Sequence, residues 1–157
     1  MRLTDVLKED FVNISLSGLN RDDCIKELID TLANNRAINN ANKIFDAVLE
    51  REKIMTTGVG NGIAIPHCKH SASPNFAVCL GIQKKGVDFQ SIDKKDVTII
   101  FLLVGPENNP GLHIKLLSRI SRLMSNEELR EQLLECKSNK EAYDIIHDEE
   151  NYFFEID

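Results

Sequence analysis

The stretch Arg51-Glu52-Lys53-Ile54-Met55-Thr56-Thr57-Gly58-Val59-Gly60-Asn61-Gly62-Ile63-Ala64-Ile65-Pro66-His67-Cys68 is where the chain changes its period. Before it, apolar residues recur at helical spacing; after it, they run continuously. Three alternate glycines among Thr56, Thr57 and Asn61 make a loop composition. Ile63-Ala64-Ile65 reads as a short apolar strand that Pro66 ends, since proline offers a ladder no donor. Proline also fixes one dihedral just before His67, so the imidazole leaves the strand end in few directions. The glycines let backbone amides approach an anion. The segment is not a dinucleotide fingerprint, because no strand precedes the glycines and no helix follows them. It lacks the Gly-Lys-Ser/Thr ending of a Walker loop. On these residues alone two readings stand: a hairpin with a satisfied histidine, or an anion site ending on a functional imidazole.

Working outward, Val12, Ile14 and Leu16 alternate with polar neighbours, the period of a half-buried strand. Asn20 offers an N-cap, and Ile25, Leu28, Ile29 and Leu32 form one helical stripe. A second helix from about Asn40 buries Ile44, Phe45, Val48 and Leu49 and ends in the polar turn Glu50, Arg51, Glu52, Lys53. Beyond the loop, Phe76 to Ile82 and Val97 to Val104 are apolar on both faces, as central strands would be. Val87, Phe89 and Ile92 suggest an edge strand or irregular segment between them. Asn109-Pro110 opens a helix burying Leu116, Leu117, Ile120, Leu123 and Met124. Capping boxes at Ser125…Glu128 and Ser138…Glu141 start two more. The pattern predicts a single α/β domain over residues 1–157, with a mixed central β-sheet flanked by α-helices on both faces. It does not set the strand order.

The 157 residues carry 19 basic and 25 acidic side chains, a net charge of −6. That balance argues against nucleic acid and anionic membrane, both of which demand a basic surface. The N-terminal residues are too charged for a secretory signal, and the run from Val97 to Val104 is too short to span a bilayer, so no direct membrane insertion is expected. Cys24, Cys68, Cys79 and Cys136 form no Cys-x-x-Cys pair and read as reduced thiols of a cytoplasmic protein, Cys24 and Cys79 as core residues. His67, Cys68, His70 and His113 could be assembled into a zinc-like set, but adjacent ligands are awkward geometry and no supporting carboxylate is evident. Nor do His67 and Cys68 suit a nucleophilic pair, since neighbours on a strand point apart. His147 reads as a solvated helix-end residue, and Lys84-Lys85 and Lys94-Lys95 as solvated turns.

Glu52, then Val59-Gly60, then Ile63-Ala64-Ile65-Pro66-His67-Cys68 resembles the phosphohistidine signature of the fructose/mannitol-type enzyme IIA. These are components of the bacterial phosphoenolpyruvate:sugar phosphotransferase system, and the nitrogen-regulatory IIA proteins share the domain. The resemblance runs from Leu3-Thr4-Asp5-Val6-Leu7 through Val87-Asp88-Phe89 and His113-Ile114-Lys115-Leu116-Leu117 into the last helix. It implies that His67 is the phosphorylated histidine, that Arg51 is the arginine on the helix before the glycine loop, and that His113 is the second histidine assisting transfer. Thr57, Gly58 and Gly60 are the expected phosphate-binding residues of the loop. Cys68 stands where glycine or alanine is common, which puts no step in doubt but suggests sensitivity to oxidation. No metal and no cofactor is implied.

Chemistry and resemblance agree. A neutral imidazole can attack phosphorus, and the N–P bond formed is reactive enough to pass the group on. Catalysis of such a transfer is mostly positioning and charge stabilisation. Arg51 offers a planar fork that fits phosphate. A hydrogen bond to a charged group is worth about 1.5–3 kcal/mol, against about 0.3–1 for a helix-end dipole, so Arg51 ranks above any nearby helix terminus. His113 shares the buried stripe of its helix with Leu117, an inward position suited to a phosphate donor or a partner orienting His67. The expected function is a phosphoryl carrier between the histidine-containing phosphocarrier protein and a cysteine of enzyme IIB. The alternative is a regulatory module of the nitrogen type, whose phosphorylation changes which target proteins dock. A zinc-dependent hydrolase would require stoichiometric metal.

Overall fold

Asn20 accepts the Asp23 amide at 2.8 Å and opens α1, Arg21–Asn34. Asn40 accepts the Lys43 amide at 3.1 Å and opens α2, Ala41–Ile54. Each oxygen satisfies a donor that the helix ladder leaves bare. The structure, a computed structural model, describes residues 1–154. The α1 stripe is buried as its spacing requires. On α2 the buried residues are Ile44, Val48 and Glu52, while Phe45 and Leu49 are half-buried. The stripe is therefore rotated from the expected one. A carboxylate expected in solvent lies inside, because it has donors waiting there.

One mixed sheet takes β1 (Val12–Asn13), β2 (Gly58–Gly60), β3 (Ile63–Ala64), β4 (His67–Lys69), β5 (Ala77–Val87) and β6 (Val97–Gly105). Its order is β1-β5-β6-β3-β2, with β4 also paired to β6. The β5–β6 and β2–β3 pairs are antiparallel; β1 on β5, and β3 and β4 on β6, are parallel. Consecutive residues from Val78 to Leu80 and from Ile100 to Val104 have no exposed surface, so both sheet faces are covered. Cys79 and Gly81 face α1: the Cys79 thiol reaches the Leu28 carbonyl, and a Cβ on Gly81 would meet Leu16 and Leu28 side chains.

Several elements differ from their sequence expectations. Only Val12 and Asn13 pair as a strand; Leu16 rejoins the sheet by donating its amide to the Ile82 carbonyl at 3.0 Å. Lys84 and Lys85 lie within β5 and are exposed there, so they do not form a turn. Of the edge strand or irregular segment expected at Val87, Phe89 and Ile92, the irregular one is found: Val87 ends β5, Phe89 is fully buried without strand pairing and Ile92 is exposed.

α3 spans Pro110–Met124, with Asn109 accepting the Leu112 amide at 3.2 Å as expected. α4, Glu127–Glu135, is capped by Asn126 and not by Ser125. The Ser125 hydroxyl is committed to closing α3, donating to the Arg122 carbonyl at 2.6 Å. α5, Asn139–Phe154, begins where Ser138 accepts the Glu141 amide at 3.0 Å. Near its other end Glu150 is fully buried and accepts the amides of Leu3 and Thr4 and, at 2.8 Å, the Thr4 hydroxyl. No helix among the described residues is long and apolar enough to cross a membrane.

The sheet positions the site through an interruption. β3 and β4 run along the same edge of β6, Ile63 and Ala64 opposite Ile99 and Ile100, then His67 opposite Leu103. Between them the Ile65 amide turns to the Thr57 carbonyl at 3.0 Å, and Pro66 has no amide to give. The Ile65 carbonyl is thereby left for a side chain to use.

Candidate active site

That side chain is His67. Its Nδ1 lies 2.7 Å from the Ile65 carbonyl oxygen. A carbonyl can only accept, so Nδ1 carries the proton and Nε2 holds the lone pair of the neutral ring. Burial pushes the His67 pKa below the ordinary histidine range; the Ile65 bond opposes this, and the Arg51 and Lys69 cations reinforce it.

His113, in the first turn of α3, is 3% exposed, and its ring centroid lies 5.5 Å from that of His67 with the planes at 58°. Phe76 packs on it at 6.2 Å. Neither His113 nitrogen has a hydrogen-bond partner among the described residues, an unusual state for a buried polar ring. Burial, then the charges of His67 and Lys69, bring its pKa down to about 4. Both imidazoles are therefore neutral near neutral pH.

Arg51 sits in the last turn of α2, half-buried, and its Nη1 donates to the Met55 carbonyl at 2.9 Å. One of the five guanidinium donors thus closes the helix. The two histidines and Arg51 line a common cleft of about 630 Å³ together with Lys53, Lys69, Ile54, Ile114 and Leu117. Ile54 and Ile114 are 80% and 66% exposed, one from α2 and one from α3. The cleft can present a neutral nitrogen nucleophile, a second unpaired imidazole and cationic donors to a small anionic group.

Thr57, Gly58 and Gly60 are not brought to this cleft. Buried Thr57 donates its amide and its hydroxyl to Glu52. The Gly58 amide donates to the Thr56 hydroxyl at 3.0 Å, and Gly60 pairs with Ile63 across the β2–β3 turn. The glycine at 58 serves close packing instead, since a Cβ there would sit 2.2 Å from the Ser91 hydroxyl oxygen. His70 accepts the Ala72 amide at 2.9 Å, and no group of three metal-ligating side chains occurs among the described residues. Cys68 is buried and its thiol is pushed up to about 12, leaving it un-ionised. His147 packs on Tyr143 in α5. Sequence reasoning quoted Glu52 in the family signature without giving it a role, and passed over Lys69. Glu52 lies four positions beyond Val48 on the buried stripe, and Lys69 lies two beyond His67 on its strand; either spacing was a usable signal.

Comparison with known proteins accords with this geometry. The profile of the family described as "Phosphoenolpyruvate-dependent sugar phosphotransferase system, EIIA 2" matches residues 5–149. The chain belongs to that family, a class of proteins engaged in phosphoryl transfer. A fructose-specific EIIABC component of Bacillus subtilis is 33% identical over 94% of this chain, which spans only 23% of that longer protein. A fructose-specific EIIA component of Haloferax volcanii is 33% identical over 80% of this chain and 82% of its own length. A nitrogen regulatory protein of Bradyrhizobium diazoefficiens is 29% identical over 93% of this chain and 95% of its own. Among solved structures, nitrogen regulatory protein IIA-Ntr of Neisseria meningitidis superposes with a TM-score of 0.85 at 26% identity, covering 92% of this chain and 98% of that one.

Proposed function

We propose that this protein is a cytoplasmic phosphoryl carrier that accepts the group on Nε2 of His67 from the histidine-containing phosphocarrier protein. The observation that carries the reading is the Nδ1 contact with the Ile65 carbonyl, which leaves Nε2 as the free nucleophile in a cleft shared with His113 and Arg51. The Nε2 lone pair attacks phosphorus, the donor's N–P bond breaks, and its electron pair returns to the donor imidazole. No proton has to leave His67 first. The Ile65 carbonyl steadies the positive charge the ring gains as the bond forms. Arg51 and His113 supply donors to the equatorial oxygens. In the onward step a thiolate of an enzyme IIB attacks the same phosphorus, and the N–P pair returns to Nε2.

A second reading, regulation of target proteins by the phosphorylation state of His67, is favoured by the near full-length match to a nitrogen regulatory protein. Both use one site and differ in the fate of the phosphoryl group. Incubation with phosphoenolpyruvate, the general phosphotransferase proteins and a panel of IIB domains separates them. Transfer of label to a IIB cysteine supports the carrier; stable label with no accepting IIB supports regulation. A His67→Ala protein that still takes up acid-labile label contradicts both.

A further inference from the structure

A phosphoryl group on His67 brings about −1.5 to −2 charges into the cleft at neutral pH. Around it the lining residues Arg51, Lys53 and Lys69 carry the positive charges. Lys53 is committed elsewhere, its ammonium 2.9 Å from the Glu50 carboxylate. His113 is neutral and gives a donor but no charge. Arg51 supplies one charge while spending one donor on Met55. The ring gains one positive charge as Nε2 bonds phosphorus, so with Arg51 the charges balance, but the three phosphoryl oxygens face only a guanidinium with one donor already spent and a single imidazole N–H.

Lys69 is the remaining cation. It stands two residues beyond His67 in β4, and side chains two apart on a strand project from the same face. The strand register fixes that relation, with His67 opposite Leu103 and Lys69 opposite Gly105. Its side chain is exposed and makes no hydrogen bond or ion pair among the described residues. Its field reaches both rings, lowering the proton affinity of His67 and of His113, whereas Arg51 acts in this way on His67 alone.

We propose that Lys69 is a catalytic residue of the phosphoryl site, its ammonium donating to a phosphoryl oxygen that the Arg51 guanidinium and the His113 ring leave without a donor. The assignment rests on the carrier reading of His67. Lys69 keeps its proton throughout; the bonds made and broken are the N–P bonds of His67 and its donor. A flexible ammonium suits this role because the oxygens move as the group passes from one nitrogen to the next. Arg51, held by the Met55 carbonyl, supplies the fixed part of the charge.

The test compares wild-type protein with Lys69→Met and Lys69→Arg. Rapid-quench kinetics follow uptake from the phosphorylated histidine-containing carrier, and phosphorus NMR follows the second ionisation of the phosphoryl group on the purified phosphoproteins. The expectation is uptake slowed about tenfold or more in Lys69→Met, with recovery in Lys69→Arg. The phosphoryl ionisation should move to higher pH in Lys69→Met, a shift that mere loosening of the strand would not produce. Lys69→Met protein with wild-type uptake and an unchanged phosphorus titration overturns the assignment while leaving the carrier reading intact. Wild-type protein that takes no label on His67 removes the carrier reading and this assignment together.

Discussion

The proton on Nδ1 of His67 leaves Nε2 as the nitrogen with a free lone pair, and its partner is a carbonyl that the break between β3 and β4 sets free. Acid inactivation should reflect the depressed pKa values of both histidines. Initial rates of phosphorylation should stay level as pH falls through 6.5, the ordinary histidine value, and decline only below it. A half-loss at or above that pH would contradict the buried neutral ring. Stability follows the same sign. Unfolded His113 takes a proton near 6.5, while the folded ring resists until about 4, so the unfolded state binds more protons in that window. Stability should therefore fall as the pH drops across it, and His113→Gln should flatten that fall in urea titrations. At Arg51, replacement by lysine keeps the charge but loses the fork and the Met55 contact. Transfer should slow about tenfold in quench-flow; wild-type kinetics would refute the directional role.

Two helix ends and one broken strand hold these side chains, and each is legible in the sequence to a different degree. Asn109-Pro110 announces the start of α3 and the structure agrees, which places His113 in its first turn. Asn109→Ala should cost about 1 kcal/mol in chemical denaturation. It should also slow phosphorylation, because the turn that frays is the one carrying His113; an unchanged midpoint would contradict the cap. The end of α2 is harder to read. Arg51 stands out as a cation beside the glycine loop, but Glu52 reads as one member of a polar turn, and only its place four residues after Val48 hints that it is buried against Thr57. Thr57, Gly58 and Gly60 have the local composition of an anion cradle, but they do not line the cleft that holds His67. Their donors go to Glu52 and Thr56 or into the β2–β3 turn, and Ser91, distant in sequence, is what excludes a side chain at 58.

Over the whole molecule, the two-sided burial of β5 and β6 makes the α/β class readable, since continuous apolar runs need cover on both faces. The strand order is not readable. The parallel pairings of β1 with β5 and of β3 and β4 with β6 join segments far apart in the chain, and alternation says nothing of partners. Glu150 makes a comparable long-range tie, its buried carboxylate holding the backbone at Leu3 and Thr4. Glu150→Ala should lower stability by about 1–3 kcal/mol and speed hydrogen exchange at those two amides. Exchange at the wild-type rate would show that the tie is not what holds the N-terminus. The proposed carrier role requires a single covalent state. The most direct measurement is phosphorus–nitrogen correlated NMR, with mass spectrometry at alkaline pH, on protein charged by phosphoenolpyruvate and the general phosphotransferase proteins. The account predicts one phosphoryl group bonded to Nε2 of His67; a group on Nδ1, or on any other side chain with His67 unmodified, would contradict it.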